Sequence, residues 1–250
     1  MKQPLLVVMA LLACGAARAQ VPDSEGGFAP AIARVKQSIV PVVCMPKAAD
    51  HIDLIAGTGA FISKSGGFIT AGHVIREILS GTPPCALAAI YRPFDTWPQG
   101  LPGNMVWFAF EPRDCIVSNE DLDLARCKTT DDLAATKRLA QPPEPLVFDG
   151  LTPPDGTPVA FTGFPLNILL PRTSIGVVAG YGPSNRRTRI VDLVIDKPAW
   201  PGISGGPVYL ADGKLVGIEL KTAVGEGTGM TFARTGAVIK PFLDDPAKFE

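Results

Sequence analysis

The heptapeptide Pro201-Gly202-Ile203-Ser204-Gly205-Gly206-Pro207 sets three glycines around one serine and leaves few folds open to this chain. Glycine loses more conformational freedom on folding than any other residue, so such a density needs a local reason. A sharply bent backbone that brings its N–H groups up to a ligand supplies one. The N–H groups of Gly202 and Ser204 would then form an oxyanion hole beside the Ser204 hydroxyl. A glycine-rich hairpin turn is the competing reading of these seven residues.

A serine nucleophile needs a base, and the choice of base is narrow. The chain has two histidines, His51 and His73, and both precede Ser204. Gly202-Ile203-Ser204-Gly205-Gly206 matches the G-x-S-x-G elbow of α/β-hydrolases, but there the order is Ser, then Asp or Glu, then His. That order is unavailable here. The order His, Asp, Ser is available.

His73 ends the stretch Phe68-Ile69-Thr70-Ala71-Gly72-His73, which follows Gly57-Thr58-Gly59-Ala60-Phe61-Ile62-Ser63 across a Lys64-Ser65-Gly66-Gly67 turn. Two short apolar runs about a Gly-Gly turn predict a β-hairpin, with His73 closing its second strand. The acid should lie between His73 and Ser204. Asp123 is the best candidate: it opens a predicted strand, Asp123 to Cys127, among small and apolar neighbours. Asp121 is a weaker rival, because Asp121-Leu122-Asp123 lacks the alanine of Asp123-Leu124-Ala125.

These segments resemble the trypsin-like serine peptidases, and most of all their bacterial HtrA-type branch. That branch carries G-x-G before an apolar run, then (T/N)-A-x-H-V, D-(L/I)-A and G-x-S-G-G-P. The resemblance extends to Gly163-Phe164-Pro165, Leu215-Val216-Gly217-Ile218 and Gly229-Met230-Thr231-Phe232-Ala233, and so covers roughly residues 30–243. It implies an all-β fold of two antiparallel six-stranded barrels, about 30–140 and 145–243, with the active site in the cleft between them. It implies catalytic roles for His73, Asp123 and Ser204, an oxyanion hole at Gly202 and Ser204, a polypeptide substrate, and no metal or cofactor. It also puts Pro198 at the base of the substrate side-chain pocket and Glu219 on its wall. With Pro198 there, small or medium apolar side chains are expected before the cut; an inward Glu219 would restore a basic preference. For Glu219 and Lys221, a solvent-facing pair is the plainer expectation. Ile203 replaces the aspartate that zymogen-activated relatives use to capture a new N-terminus, and is expected to pack into the second barrel. HtrA-type proteins usually carry a PDZ domain after the protease; this chain ends soon after the last matching strand, so none is expected.

Residues 1–19 read as a secretory leader: Lys2, an apolar run from Leu5 to Ala13, and an Ala17-Arg18-Ala19 cleavage site before Gln20. The run is too short to cross a bilayer. Leu11-Leu12-Ala13-Cys14 also resembles a lipobox, which would attach lipid to Cys14. Either way export is expected, to the periplasm or beyond, with residues 20–250 as the peptidase domain. Lys2 and Arg18 leave with the leader, and 21 basic side chains against 24 acids then give a net charge of −3. That balance offers no footing for nucleic acid. With 46% apolar and 19% charged residues, the chain has enough to build a large core.

Four cysteines remain after cleavage, an even number that suits disulfides and allows three connectivities. Cys115 and Cys127 flank the Asp123 hairpin and are the favoured pair, which leaves Cys44 with Cys85; buried free thiols are the alternative. Ala29 to Ser38 has helical spacing, and Gly236 to Leu243 is expected as a closing helix. Residues 80–104, rich in proline, read as long surface loops. Seven short apolar runs between Pro145 and Ala233 are expected as the strands of the second barrel. Arg186, Arg187 and Arg189 read as a solvated loop, as does His51. Two other classes fit parts of this pattern: a silent relative that only binds exported polypeptides, and a serine hydrolase acting on esters.

Overall fold

The computed structural model describes residues 27–46, 54–81, 85–91, 106–183, 190–222 and 229–249. Residues 1–19 with Cys14, His51 and the Arg186–Arg189 cluster lie outside them. The chain opens with helix α1 (Ala29–Lys36), whose Pro30 suits a first turn and whose Ala31 and Val35, one turn apart, are buried. Strands β1 (Ile39–Pro46), β2 (Leu54–Phe61) and β3 (Gly67–Ala71) follow. Helix α2 (Gly72–Ser80) comes next, then β4 (Cys85–Tyr91), β5 (Val106–Phe110), β6 (Ile116–Val117) and β7 (Leu124–Lys128). Together they form one antiparallel sheet in the order β5-β4-β1-β2-β3-β7-β6.

This sheet differs from the expected six-stranded barrel. It has seven strands, because Ile116 and Val117 add a two-residue edge beside β7. The sheet curls until Phe110 of β5 bridges Thr129, just past β7, and beside that bridge Thr130 Oγ1 donates to Ala109 O at 3.0 Å. Phe68 and Phe110 meet edge to face inside the curl, with ring centroids 5.1 Å apart. Residues 85–91, expected as loop, form β4: prolines bracket the apolar run rather than interrupt it.

The second half is a closed barrel of six strands: β8 (Pro158–Gly163), β9 (Arg172–Gly182), β10 (Asp192–Ile195), β11 (Pro207–Tyr209), β12 (Leu215–Thr222) and β13 (Thr231–Thr235). Its order is β10-β13-β12-β11-β8-β9. Of the seven expected runs, Pro145 to Phe148 makes only an isolated bridge, Phe148 to Leu215. Val159, Phe161, Leu193, Ile203, Val208 and Val216 fill the barrel. A second, larger cluster joins Phe61, Phe68 and Leu124 of the sheet to Ala160, Ile218 and Phe242, so the two halves share apolar cover. Helix α3 (Gly236–Asp244) closes the chain as expected, burying Ile239 and Phe242. Among the described residues, no helix is long and apolar enough to cross a membrane.

Both favoured cysteine pairs are bridged. Cys44 and Cys85 tie β1 to β4 with Cα atoms 5.3 Å apart, and Cys115 and Cys127 tie the β6 edge to β7 at 4.4 Å. The bridges span 41 and 12 residues of chain, which in the loop-entropy picture stabilise by about 4 and about 3 kcal/mol. At about 2–4 °C per kcal/mol for a domain of this size, full reduction should lower Tm by roughly 15–30 °C. Thermal melts with and without reductant, with thiols counted by alkylation, measure this; an unchanged Tm after complete reduction would contradict the assignment.

Candidate active site

Strand β3 ends at Ala71, and His73 lies in the first turn of α2 rather than at a strand end. The helix wins because Val74, Ile75 and Ile78 fall on one face and bury together against the sheet. A helix start leaves N–H groups without partners inside the helix, and here an acid takes them. Asp123 accepts from the His73 backbone N–H through Oδ1 at 2.7 Å, and its backbone carbonyl accepts from Gly72 N–H at 2.8 Å. Its Oδ2 lies 2.8 Å from His73 Nδ1. The carboxylate thus fixes the imidazole twice, through its ring and through its backbone.

Asp123 itself sits just before β7 with φ of 54°, a left-handed conformation that aspartate tolerates better than most residues. A tight turn puts it there. Asn119 accepts from Asp123 N–H through its carbonyl at 3.0 Å and from Leu122 N–H through its side chain at 2.9 Å. Ser118 Oγ takes the Leu124 N–H at 2.8 Å. Asp121 offers its backbone carbonyl, not its carboxylate, to this region.

Arg76 was not singled out from sequence. It is three residues after His73 on the same helix, and one guanidinium nitrogen pairs with Asp123 Oδ1 while the other donates to the Ser118 carbonyl at 3.1 Å. Had Gly72 to Ser80 been read as helix, the i,i+3 spacing would have flagged it.

The Ser204 loop docks onto β2 and β3 beside this helix. Thr58 is the fully buried hub: its N–H donates to Ser204 O at 2.8 Å and its hydroxyl donates to Gly202 O at 2.8 Å. The same hydroxyl accepts from Phe164 N–H at 3.0 Å, and the Thr58 carbonyl accepts from Thr70 at 2.8 Å. Gly202 and Gly205 have φ of +96° and +90°. A Cβ on Gly205 would collide with Thr58 O and Thr70 Oγ1, and one on Gly202 with Phe164 O. The glycines are therefore demanded by backbone conformation and by close approach together. Among the described residues no backbone carbonyl takes the Gly202 or Ser204 N–H.

The Ser204 hydroxyl donates to Leu220 O at 3.0 Å and shares a hydrogen bond with the Glu219 carboxyl. Glu219 is where expectation and structure part. It is 1% exposed, not solvent-facing, while Lys221 is exposed. A bulge in β12 between Glu219 and Lys221 breaks the alternation that would have put both on one face. Burial drives the Glu219 carboxyl up to about 8; the Ser204 hydrogen bond opposes the rise and the charge of Asp123 adds to it. At neutral pH it is an uncharged acid beside Ser204. Pro198 is exposed, within 3.9 Å of the position a Cβ on Gly229 would take. Ile203 packs into the barrel interior as expected. Among the described residues no three His, Cys, Asp or Glu side chains converge as a metal site.

The fold has counterparts among solved proteins. Three solved structures share the fold: an HtrA-type protease, AlgW, with a tripeptide (TM-score 0.63, 18% identity, 87% of this chain and 62% of that one), the Rv3671c protease from M. tuberculosis in its active form (0.61, 18%, 88% and 84%), and the serine endoprotease from Yersinia pestis (0.63, 21%, 88% and 66%). At such identities the likeness is one of fold. Among curated proteins, the uncharacterized protein y4bJ of Sinorhizobium fredii is 28% identical over 207 residues, 78% of this chain and 28% of that protein. The chain therefore spans little more than a quarter of that relative's length. The model of the trypsin-like peptidase domain matches residues 57–218, from the glycine before Thr58 to the strand behind Ser204. By that match, the chain belongs to the trypsin-like peptidase domain family.

Proposed function

We propose that the protein is an exported serine endopeptidase that cuts polypeptides through a Ser204-His73-Asp123 triad. The observation that carries this reading is the 2.8 Å contact between His73 Nδ1 and Asp123 Oδ2, in a chain whose glycine-bounded Ser204 docks beside the same helix. A carboxylate on Nδ1 leaves Nε2 as the base, because it sets the tautomer and stabilises the imidazolium that forms. The Ser204 hydroxyl turns about its one side-chain bond from Leu220 O toward Nε2. Its oxygen bonds to the peptide carbonyl carbon as its proton passes to His73. The carbonyl electrons collect on an oxyanion that takes the Gly202 and Ser204 N–H groups; one such donor contributes about 3 kcal/mol. The C–N bond then breaks, His73 protonates the leaving amine, and water repeats the sequence to release the acyl group from Ser204. Residues 1–19 carry the export assignment. Ile203, apolar and buried, leaves an incoming amino group no partner, so no propeptide cut is needed beyond leader removal.

The side-chain pocket is assigned to the barrel end at Glu219. An uncharged carboxyl there holds no cation, so uncharged side chains are expected before the cut at neutral pH. Mature protein from Gln20 and its Ser204→Ala variant, incubated with an unfolded polypeptide at pH 7 and analysed by mass spectrometry, test the reading. New termini should appear with the wild type alone, mostly after small or medium uncharged residues. Equal cutting by the variant would exclude Ser204 as nucleophile, and a profile dominated by Lys and Arg would exclude the uncharged pocket.

Glu219 also has a signature in stability. Its acid has an ordinary value of 4.5 and is raised in the fold to about 8. Between those limits the native state keeps a proton that the unfolded chain has released, so stability falls as pH rises through this window. Glu219→Gln removes that dependence. Its Tm advantage over the wild type should grow from pH 4 to pH 8, by several degrees at about 2–4 °C per kcal/mol. Parallel Tm curves for the two proteins would contradict a buried neutral carboxyl.

A further inference from the structure

Among the described residues Arg234 is the largest fully buried side chain, and the proposed chemistry does not use it. It stands on β13 of the barrel, directly across from Asp192 on β10, and its Nη1 lies 2.7 Å from Asp192 Oδ1 with the two side chains 1% and 0% exposed. The approach is a charge contact more than an aligned hydrogen bond. The aligned bonds go elsewhere. Nε donates to Leu122 O at 2.9 Å and Nη2 donates to Asp121 O at 2.6 Å. Those carbonyls belong to the other half of the molecule, in the two residues before Asp123. One guanidinium thus reaches out of the barrel and grips the turn that sets the left-handed Asp123.

We infer that Arg234 is a positioning residue for the acid of the triad, holding the Asp121-Leu122 backbone so that Asp123 keeps its aim at His73. A buried ion pair is in itself weak evidence for stability, since an apolar pair of equal size often does as well. The fork geometry is what an apolar pair does not reproduce. A planar guanidinium spreads its donors over three nitrogens, so it bonds two carbonyls while a third nitrogen faces the Asp192 carboxylate; the three donors of lysine sit on one nitrogen and do not span that fork. Burial pulls the Arg234 guanidinium below its usual range, while the charges of Asp192, Asp123 and Asp121 act the other way. Asp123 is thus near enough for its charge to act on Arg234. Asp192 anchors the cation, and the cation anchors the loop.

This inference rests on reading Ser204, His73 and Asp123 as a triad, so its test needs one readout that does not require turnover. The variants are Arg234→Met with Asp192→Asn, which leaves no lone buried charge, and Arg234→Lys, which keeps the charge but loses the fork. A cooperative melt establishes that each is folded. The rate of Ser204 labelling by a fluorophosphonate should fall about 100-fold in both, the scale of a 1 Å misplacement, with kcat on a peptide falling alike and KM little changed. The low-field NMR resonance of the His73 Nδ1 proton should shift or vanish. Should the double variant fail to fold, Arg234→Lys decides. Should even the wild type resist labelling, the triad reading fails, and the His73 resonance still judges Arg234 as the positioner of Asp123. Folded variants with wild-type labelling and an unchanged His73 resonance would overturn the inference.

Discussion

The carboxylate of Asp123 is the constraint on which the rest of the site depends. It meets the ring of His73, the backbone N–H of the same residue and the guanidinium of Arg76, while its own carbonyl closes on Gly72. A helix N-terminus favours a negative charge, and α2 begins at the residue that needs one. The imidazole is therefore oriented by the same contact that starts its helix. Loss of that carboxylate would leave the first turn of α2 short of partners as well as the ring without a tautomer-setting acceptor.

Around that contact the two halves of the chain are stitched by few but buried polar groups. Thr58 sends its N–H and hydroxyl into the Ser204 loop, and Arg234 returns from the barrel to the Asp123 turn. Each lies where an apolar contact would give adhesion without direction. Such groups are costly if left unpaired in a low-dielectric interior and directional when paired. His73 and Asp123 come from one half and Ser204 from the other, so their mutual placement is only as good as these bridges. The neutral carboxyl of Glu219 beside Ser204 adds a further demand, since ionising it would bury a second negative charge within reach of that of Asp123.

Much of this was legible in the residues. The absence of a later histidine and Asp123 ahead of an apolar strand pointed to the His73–Asp123 pair that the structure brings together, and the glycines around Ser204 to a sharply bent loop. The barrel strands from Pro158 to Thr235 were visible as short apolar runs between turns. What escaped reading was non-local or a matter of one residue's phase. His73 looked like a strand end because Phe68 to Ile75 is a short, mainly apolar and β-branched stretch, and only packing distinguishes a buried strand from the start of a buried helix. Glu219 looked solvent-facing because a β-bulge cannot be seen in a strand of alternating polarity. Arg234 and Arg76 carried no signal alone: their partners are backbone carbonyls and an acid far away in sequence. The seven-stranded sheet was missed because β6 is two residues long.

The central claim is that Ser204 is a nucleophile made reactive by His73 and Asp123. Its most direct test is covalent: treat the folded protein with a fluorophosphonate and map the adduct by tandem mass spectrometry, alongside His73→Ala and Asp123→Asn. A single adduct on Ser204 is predicted for the wild type, with labelling slowed by about 10⁴ in Asp123→Asn and comparably in His73→Ala. Labelling of Ser204 at wild-type rate in His73→Ala, or an adduct at another residue, would contradict the account.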